Sequence, residues 1–279
     1  MAIAKEETID STKGAKIFVR SWEPDGAPKA VVVLCPGFNS HSGQYIWAAE
    51  QLVKQGYAVY AVDLRGRGKS SGERFYVEDI ADYVADVSAT VKLAKSRNAG
   101  LKTFLLGHSA GGVTSAVYVL ENQNELAGFI CEDFAFQVPA PGIVISAVKG
   151  LSHIAPRLPV LTLKNVDFSR DPKAVEAMNS DPLIANESQP ALTIAALARA
   201  DERLMVSFPQ ITIPVLILHG TGDKVTLPAG SQVFFDTVGS KDKSIKLYQD
   251  HYHDLLADLG KEEVMGDIVV WLDKRAAAA

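Results

Sequence analysis

Apolar residues along the chain fall into two alternating patterns. Continuous runs at 30–34, 57–62, 103–106, 126–131 and 214–219 are rich in Val, Ile and Leu. Such runs mark strands buried on both faces of a parallel sheet. Residues 245–248 read as a further strand, and 15–22 alternate enough for a half-exposed edge strand. Between the runs lies helical spacing. Ile80, Val84, Val87, Val91 and Ala94 form one stripe that stops at Asn98-Ala99-Gly100, a helix-ending signal. Helices are also predicted over about 42–54, 113–120, 229–237 and 261–274. Strands alternating with helices predict an α/β architecture, a largely parallel sheet covered on both faces.

The alternation stops from Phe134 to about Gln210, where Pro139, Pro141, Pro156, Pro159, Pro172, Pro182 and Pro190 cut the chain into short pieces. Residues 138–163 are apolar, but proline, Lys149, His153 and Arg157 interrupt them too often for a bilayer span. The stretch reads as a helical lid inserted between two strands. An apolar lid selects apolar substrates and excludes water. The expected organisation is a core of 1–133 and 211–275, a cap of 134–210, and an appended tail at 276–279.

Composition adds exclusions. The 279 residues suffice for one large α/β domain. Apolar residues make up 47% and charged ones 22%, with a net charge of −5 spread along the chain. No basic stripe points to nucleic acid, and no acidic tail points to disorder. Residues 1–7 lack the apolar core of a secretory signal, and the two cysteines make no disulfide framework. Together these fit a reduced, cytoplasmic setting. Cys35 and Cys131 each end an apolar run and are expected to be small buried residues.

The chemistry centres on Gly107-His108-Ser109-Ala110-Gly111, a Gly-x-Ser-x-Gly with a strand before it and a helix after it. A strand–turn–helix of this kind pushes the serine out above the sheet. Ser109 then lies at a helix N-terminus, whose backbone N–H groups favour developing negative charge. A serine hydroxyl needs an imidazole to take its proton, and the imidazole needs a carboxylate to fix its tautomer. In a parallel sheet, residues just past different strands converge at one edge. Ser109, Asp223 and the His251/His253 loop all lie there, in the order Ser, Asp, His. Spacing alone does not separate His251 from His253. Asp133 is the rival acid and Glu132 a third candidate. His108 flanks the serine, so its side chain should point away, and His219 still belongs to a strand end. A metal reading of His251-x-His253 lacks a third ligand in a recognisable pattern. Ala110 and Phe38 are the candidates for the two oxyanion N–H donors. The Gly-rich stretch 63–72 fits neither the P-loop nor the dinucleotide template, and reads as a mobile βα loop.

These motifs resemble the α/β-hydrolase superfamily, in particular its monoacylglycerol lipase and lysophospholipase branch. The matching stretches are Gly37-Phe38-Asn39-Ser40-His41-Ser42-Gly43-Gln44-Tyr45, residues 63–72 and Gly107-His108-Ser109-Ala110-Gly111-Gly112. They continue in Ser169-Arg170-Asp171-Pro172, Asp181-Pro182-Leu183, His219-Gly220-Thr221-Gly222-Asp223 and Tyr252-His253-Asp254-Leu255-Leu256. The resemblance implies an eight-stranded sheet with an inserted helical cap. It favours His253 over His251 and Asp223 over Asp133. It implies a serine carboxylester hydrolase acting on small apolar esters, without metal or organic cofactor, with the cap available for transient membrane contact. A proline iminopeptidase-like peptidase, a cofactor-free perhydrolase and a ligand receptor share the same fold; Glu132 and Asp133 would be the acids to hold a peptide's amine. The chain departs from the family pattern at Cys35-Pro36, where His is common before the glycine. It departs again at Ala110, where Met is common, and at Arg67, where His is common.

Overall fold

The computed structural model describes residues 4–277. β1 (Lys5–Asp10) and β2 (Lys16–Trp22) are followed by β3 (Ala30–Cys35), α1 (Ile46–Lys54), β4 (Tyr57–Val62) and α2 (Ile80–Arg97). Then come β5 (Thr103–His108), α3 (Ala110–Asn122) and β6 (Gly128–Glu132). The proline-rich stretch holds α4 (Gly142–Ser152), β7 (Pro159–Leu161), α5 (Pro172–Ser180), β8 (Gln189–Pro190) and α6 (Ala191–Ser207). β9 (Val215–Gly220), α7 (Pro228–Thr237), β10 (Lys243–Tyr248) and α8 (Lys261–Ala276) close the chain. α8 therefore runs into the expected tail, and Ala278 and Ala279 lie outside the described residues.

Eight strands form one sheet in the order β1-β2-β4-β3-β5-β6-β9-β10. β1, β2 and β4 pair antiparallel, and every other neighbour is parallel. Period-two alternation sends successive residues of each strand into two different cores. Val31, Val33 and Cys35 join Val87 of α2, Val113 and Val117 of α3 and Phe234 of α7. Val32 and Leu34 join Leu52 of α1 and Ile268, Trp271 and Leu272 of α8 on the other face.

Two expectations need correction. Residues 16–22 are not an edge strand: β1 pairs along them from Lys5↔Ser21 to Asp10↔Lys16, and Ile17 and Val19 are fully buried. β1 escaped notice because its Lys, Glu and Asp side chains guard a sheet edge against further pairing. The loop 63–72 is not loose either. Asp63 accepts the Ser42 N–H at 2.7 Å and the Lys69 N–H at 2.8 Å. Buried Arg65 binds buried Asp86 through Nε at 3.0 Å and Nη2 at 2.7 Å.

Helix α3 sits hard against the ends of the central strands because the facing residues are small. Gly107 lies in register between Cys35 and Cys131, and both cysteines are free and buried. A Cβ on Gly111 would stand 2.3 Å from the carbonyl oxygens of Cys35 and Pro36. Between β6 and β9, α6 places Ala196, Ala200 and Leu204 in the core shared with α2 and α3. By contrast α4 leaves Ile143 and Val144 exposed. Among the described residues no helix is long and apolar enough to cross a membrane.

Candidate active site

Ser109 bridges β5 and α3 with φ 55° and ψ −124°. A non-glycine residue there stores about 1–3 kcal/mol of strain, which the surroundings must hold. They do so through backbone bonds. The Ser109 N–H donates to the Glu132 carbonyl at 2.9 Å, and the Ser109 carbonyl accepts from Gly112 N–H at 2.9 Å. On the other side Gly37 is pressed against it; a Cβ there would lie 2.8 Å from Ser109 Cβ. The hydroxyl is thereby aimed at His253, with Ser109 Oγ 2.8 Å from Nε2. His253 Nδ1 lies 2.8 Å from Asp223 Oδ2. The Nδ1–H donates to that carboxylate, which leaves the Nε2 lone pair free to accept the serine proton. Phe168 meets the His253 ring edge-on at a centroid distance of 5.0 Å.

Asp223 is held by every nearby donor. Its Oδ1 accepts the Val225 and Thr226 N–H groups at 2.7 and 3.0 Å. Its Oδ2 accepts Thr226 Oγ1 at 2.6 Å and lies 3.1 Å from His219 Nε2. Burial opposes ionisation here, but the charge of His253 and the bonds from His219 and His253 overcome it and hold the carboxyl far below its ordinary range. His219 is the residue sequence reading passed over. Its Nδ1 is 2.7 Å from Ser231 Oγ, so Nε2 faces the carboxylate as a donor. The available signal was its place at a strand's end, four residues before Asp223.

His108 packs beside His253, with ring centroids 4.9 Å apart. Its Nε2–H donates to the His253 carbonyl at 2.9 Å and its Nδ1 accepts from Tyr45 Oη at 3.0 Å. Burial, then the charge of His253, pushes it down to about 3. It therefore remains a neutral strut under the histidine loop. His251 turns elsewhere, its ring tilted against Tyr248 at a centroid distance of 5.5 Å, with Nδ1 3.7 Å from Asp258. The two histidines of the loop thus face different neighbours.

Asp133 lies near the site without joining the serine. One donor atom each of Asp133, Asp223 and His253 fall within 4.8 Å of one another. Its own Oδ1 accepts the Gly220 N–H at 2.9 Å. Burial, then the charge of Asp223, pushes Asp133 well above the carboxylate range. Two adjacent buried carboxyls do not both ionise, and Asp223, with both imidazoles, keeps the charge. Glu132 accepts the Leu256 N–H at 3.1 Å and is pushed up by burial and then by Asp254. Both acids are fully buried, and burial holds both well above the ordinary carboxylate range.

Ala110 is the first residue of α3, where the N–H has no preceding turn to bond. The loop 36–39 crosses beside Ser109 through Gly37, which brings Phe38 to the same place. The Phe38 side chain is buried, its ring centroid 4.3 Å from the Arg67 guanidinium carbon.

Similarity to known proteins agrees with this geometry. A family profile described as "Serine aminopeptidase, S33" matches residues 26–260. The monoacylglycerol lipase of Mycolicibacterium smegmatis is 32% identical over 273 residues, covering 96% of each chain. The human monoglyceride lipase is 32% identical over 271 residues, covering 95% of this chain and 89% of that one. The crystal structure of Paleococcus ferrophilus monoacylglycerol lipase superposes with a TM-score of 0.83 at 30% identity, over 93% of this chain and 99% of that one. The chain belongs to this family of the α/β-hydrolase superfamily, in its monoacylglycerol lipase-like branch, and is a serine carboxylic ester hydrolase.

Proposed function

We propose that Ser109, His253 and Asp223 are the triad with which this protein cleaves apolar acyl esters of the monoacylglycerol kind. The observation that carries the reading is the chain of two 2.8 Å bonds from Ser109 Oγ through His253 to Asp223. Ser109 Oγ attacks the ester carbonyl carbon while His253 Nε2 takes its proton. The oxyanion is bound by the N–H groups of Ala110 and Phe38. The intermediate collapses, the C–O bond to the alcohol breaks, and His253 returns the proton to the departing oxygen. A water molecule, deprotonated by the same nitrogen, then attacks the acyl-enzyme and releases the acid, restoring Ser109.

Residues 134–210 serve as the cap over this site. Phe168, from that segment, packs on His253, which supports a cover that excludes water. The apolar residues Ile143, Val144, Ile154 and Val166 on its outer side are exposed. Exposed apolar side chains of this kind suit transient contact with a lipid surface from which an apolar ester is drawn. The relatives named for monoacylglycerol and monoglyceride support the glycerol ester as the substrate to try first. The test is a burst of chromophore from p-nitrophenyl esters of graded acyl length, beside monoacylglycerols of the same lengths. Ser109→Ala abolishes the burst on this reading; turnover that survives it overturns the assignment.

A further inference from the structure

Arg67 replaces the family's usual histidine in the loop after β4, and it is 2% exposed. A guanidinium that deep must have all its donors met. Its Nε donates to Tyr83 Oη at 3.1 Å, Nη1 to Glu187 Oε1, and Nη2 to Gln189 Oε1 at 2.8 Å. Glu187 and Gln189 come from the 134–210 segment, so the pair crosses from the sheet's own loops to the insertion.

Both members also grip the loop beside Ser109. The ring of Phe38 rests on the Arg67 guanidinium. Glu187 Oε1 accepts the Asn39 N–H at 2.9 Å, as well as Gln189 Nε2 at 2.7 Å. Asn39 has φ 51°, an unfavoured conformation for a residue with a side chain, and its N–H bond to Glu187 fixes the plane of the peptide between 38 and 39. Gly37 is wedged against Ser109. Residues 37, 38 and 39 are therefore each held by a different neighbour, so the peptide between 37 and 38, which carries the Phe38 N–H, is restrained from both sides. An oxyanion donor works only if it is aimed before charge develops, because reorienting it during the reaction forfeits its advantage.

We propose that Arg67 and Glu187 form a buried clamp that aims the Phe38 N–H at the oxyanion, so that the inserted segment completes the catalytic site rather than only covering it. Arg67 and Glu187 are positioning residues. The inference rests on the reading of Ser109 as nucleophile and Phe38 as oxyanion donor.

The test replaces both charges at similar volume, Arg67→Met with Glu187→Met, and normalises turnover to active sites counted by burst amplitude. The expected result is a fall in kcat of about tenfold to a hundredfold, below the full loss of an oxyanion donor, with KM within about twofold. The affinity of an aliphatic trifluoromethyl ketone, which forms a tetrahedral adduct on a nucleophilic serine, weakens in parallel. The acid limb of the pH–rate profile does not move, because His253 and Asp223 keep their partners. Glu187→Gln, which retains an acceptor for Asn39, keeps most of the activity that Glu187→Ala loses. A merely structural role reduces burst amplitude alone. Unchanged kcat per site in the double variant overturns the clamp; if that variant does not fold, equal losses in Glu187→Gln and Glu187→Ala overturn it. Ser109→Ala run alongside separates the two ideas. Turnover in that variant removes the nucleophile reading, whereas silence there with intact clamp variants removes the clamp alone.

Discussion

The turn after β5 and the loop after β4 leave the same edge of the sheet, separated there only by β3. In the first, side chains have been removed. Gly107 and Gly111 let α3 touch the strands and the neighbouring loop, and the strained Ser109 is held by backbone bonds. In the second, charges have been buried. Arg65 is matched to Asp86 and Arg67 to Glu187, and the loop's shape is set by which carboxylate each guanidinium finds. The steric solution is local and tolerates no added atom. The electrostatic solution reaches across the fold, and stability suffers more when one partner is lost than when both are.

The largest effect that tests this contrast is at Asp223. Asp223→Asn should lower kcat by about 10⁴-fold through the wrong histidine tautomer, whereas Asp133→Asn should leave kcat nearly intact. A collapse of activity in Asp133→Asn would transfer the acid's role. Next comes the charged loop. Asp86→Leu removes the fully buried partner of Arg65, leaving it Asp82 at 3.0 Å, and should cost up to about 3–5 kcal/mol in urea unfolding. Adding Arg65→Met should recover much of that loss, and a double variant as weak as the single would refute the electrostatic account. In the steric turn, Gly111→Ala should cost about 1–3 kcal/mol or more, because two backbone carbonyls must retreat. No second-site substitution of a side chain should rescue it, since the obstacle is backbone.

The smallest effect is acid lability from His108. Its folded value of about 3 lies below the ordinary one of 6.5, so the unfolded chain binds a proton that the folded chain refuses. Stability is full above pH 6.5 and falls as pH drops toward 3. Between pH 7 and pH 5 the loss from this residue is about 2 kcal/mol. Denaturant curves of His108→Gln should show a correspondingly flatter pH dependence, and an unchanged slope would show that other groups govern it.

These cases also explain what the sequence disclosed. The steric turn was legible because its cause lies within a few residues: a glycine on each side of a serine between an apolar run and a helical stripe. The buried strands β3 and β4 were legible for the same reason. Sequence order and the sheet's geometry brought Asp223, its rival Asp133 and the His251/His253 loop to the edge where Ser109 lies, and only the family resemblance favoured Asp223 and His253 among them. The charged loop was misread as mobile because its partners are remote: Arg67 and Glu187 are 120 residues apart, and a buried arginine looks on paper like a solvated one. β1 was hidden by its charges, which are what an exposed edge requires. His219 was passed over because a strand-end histidine carries no mark of the carboxylate that the following loop folds back upon it.

The placement of the two cysteines has a practical consequence. Cys35 and Cys131 lie under α3, where burial pushes the first thiol up to about 12 and the second well above its usual value. Neither presents thiolate to a reagent in water. The native thiols should therefore not react with maleimides in the folded protein, so that a single cysteine introduced at exposed Ala147 on α4 is the expected sole labelled position. Fluorescent or spin labels there can test whether the segment moves during turnover without first removing any native thiol.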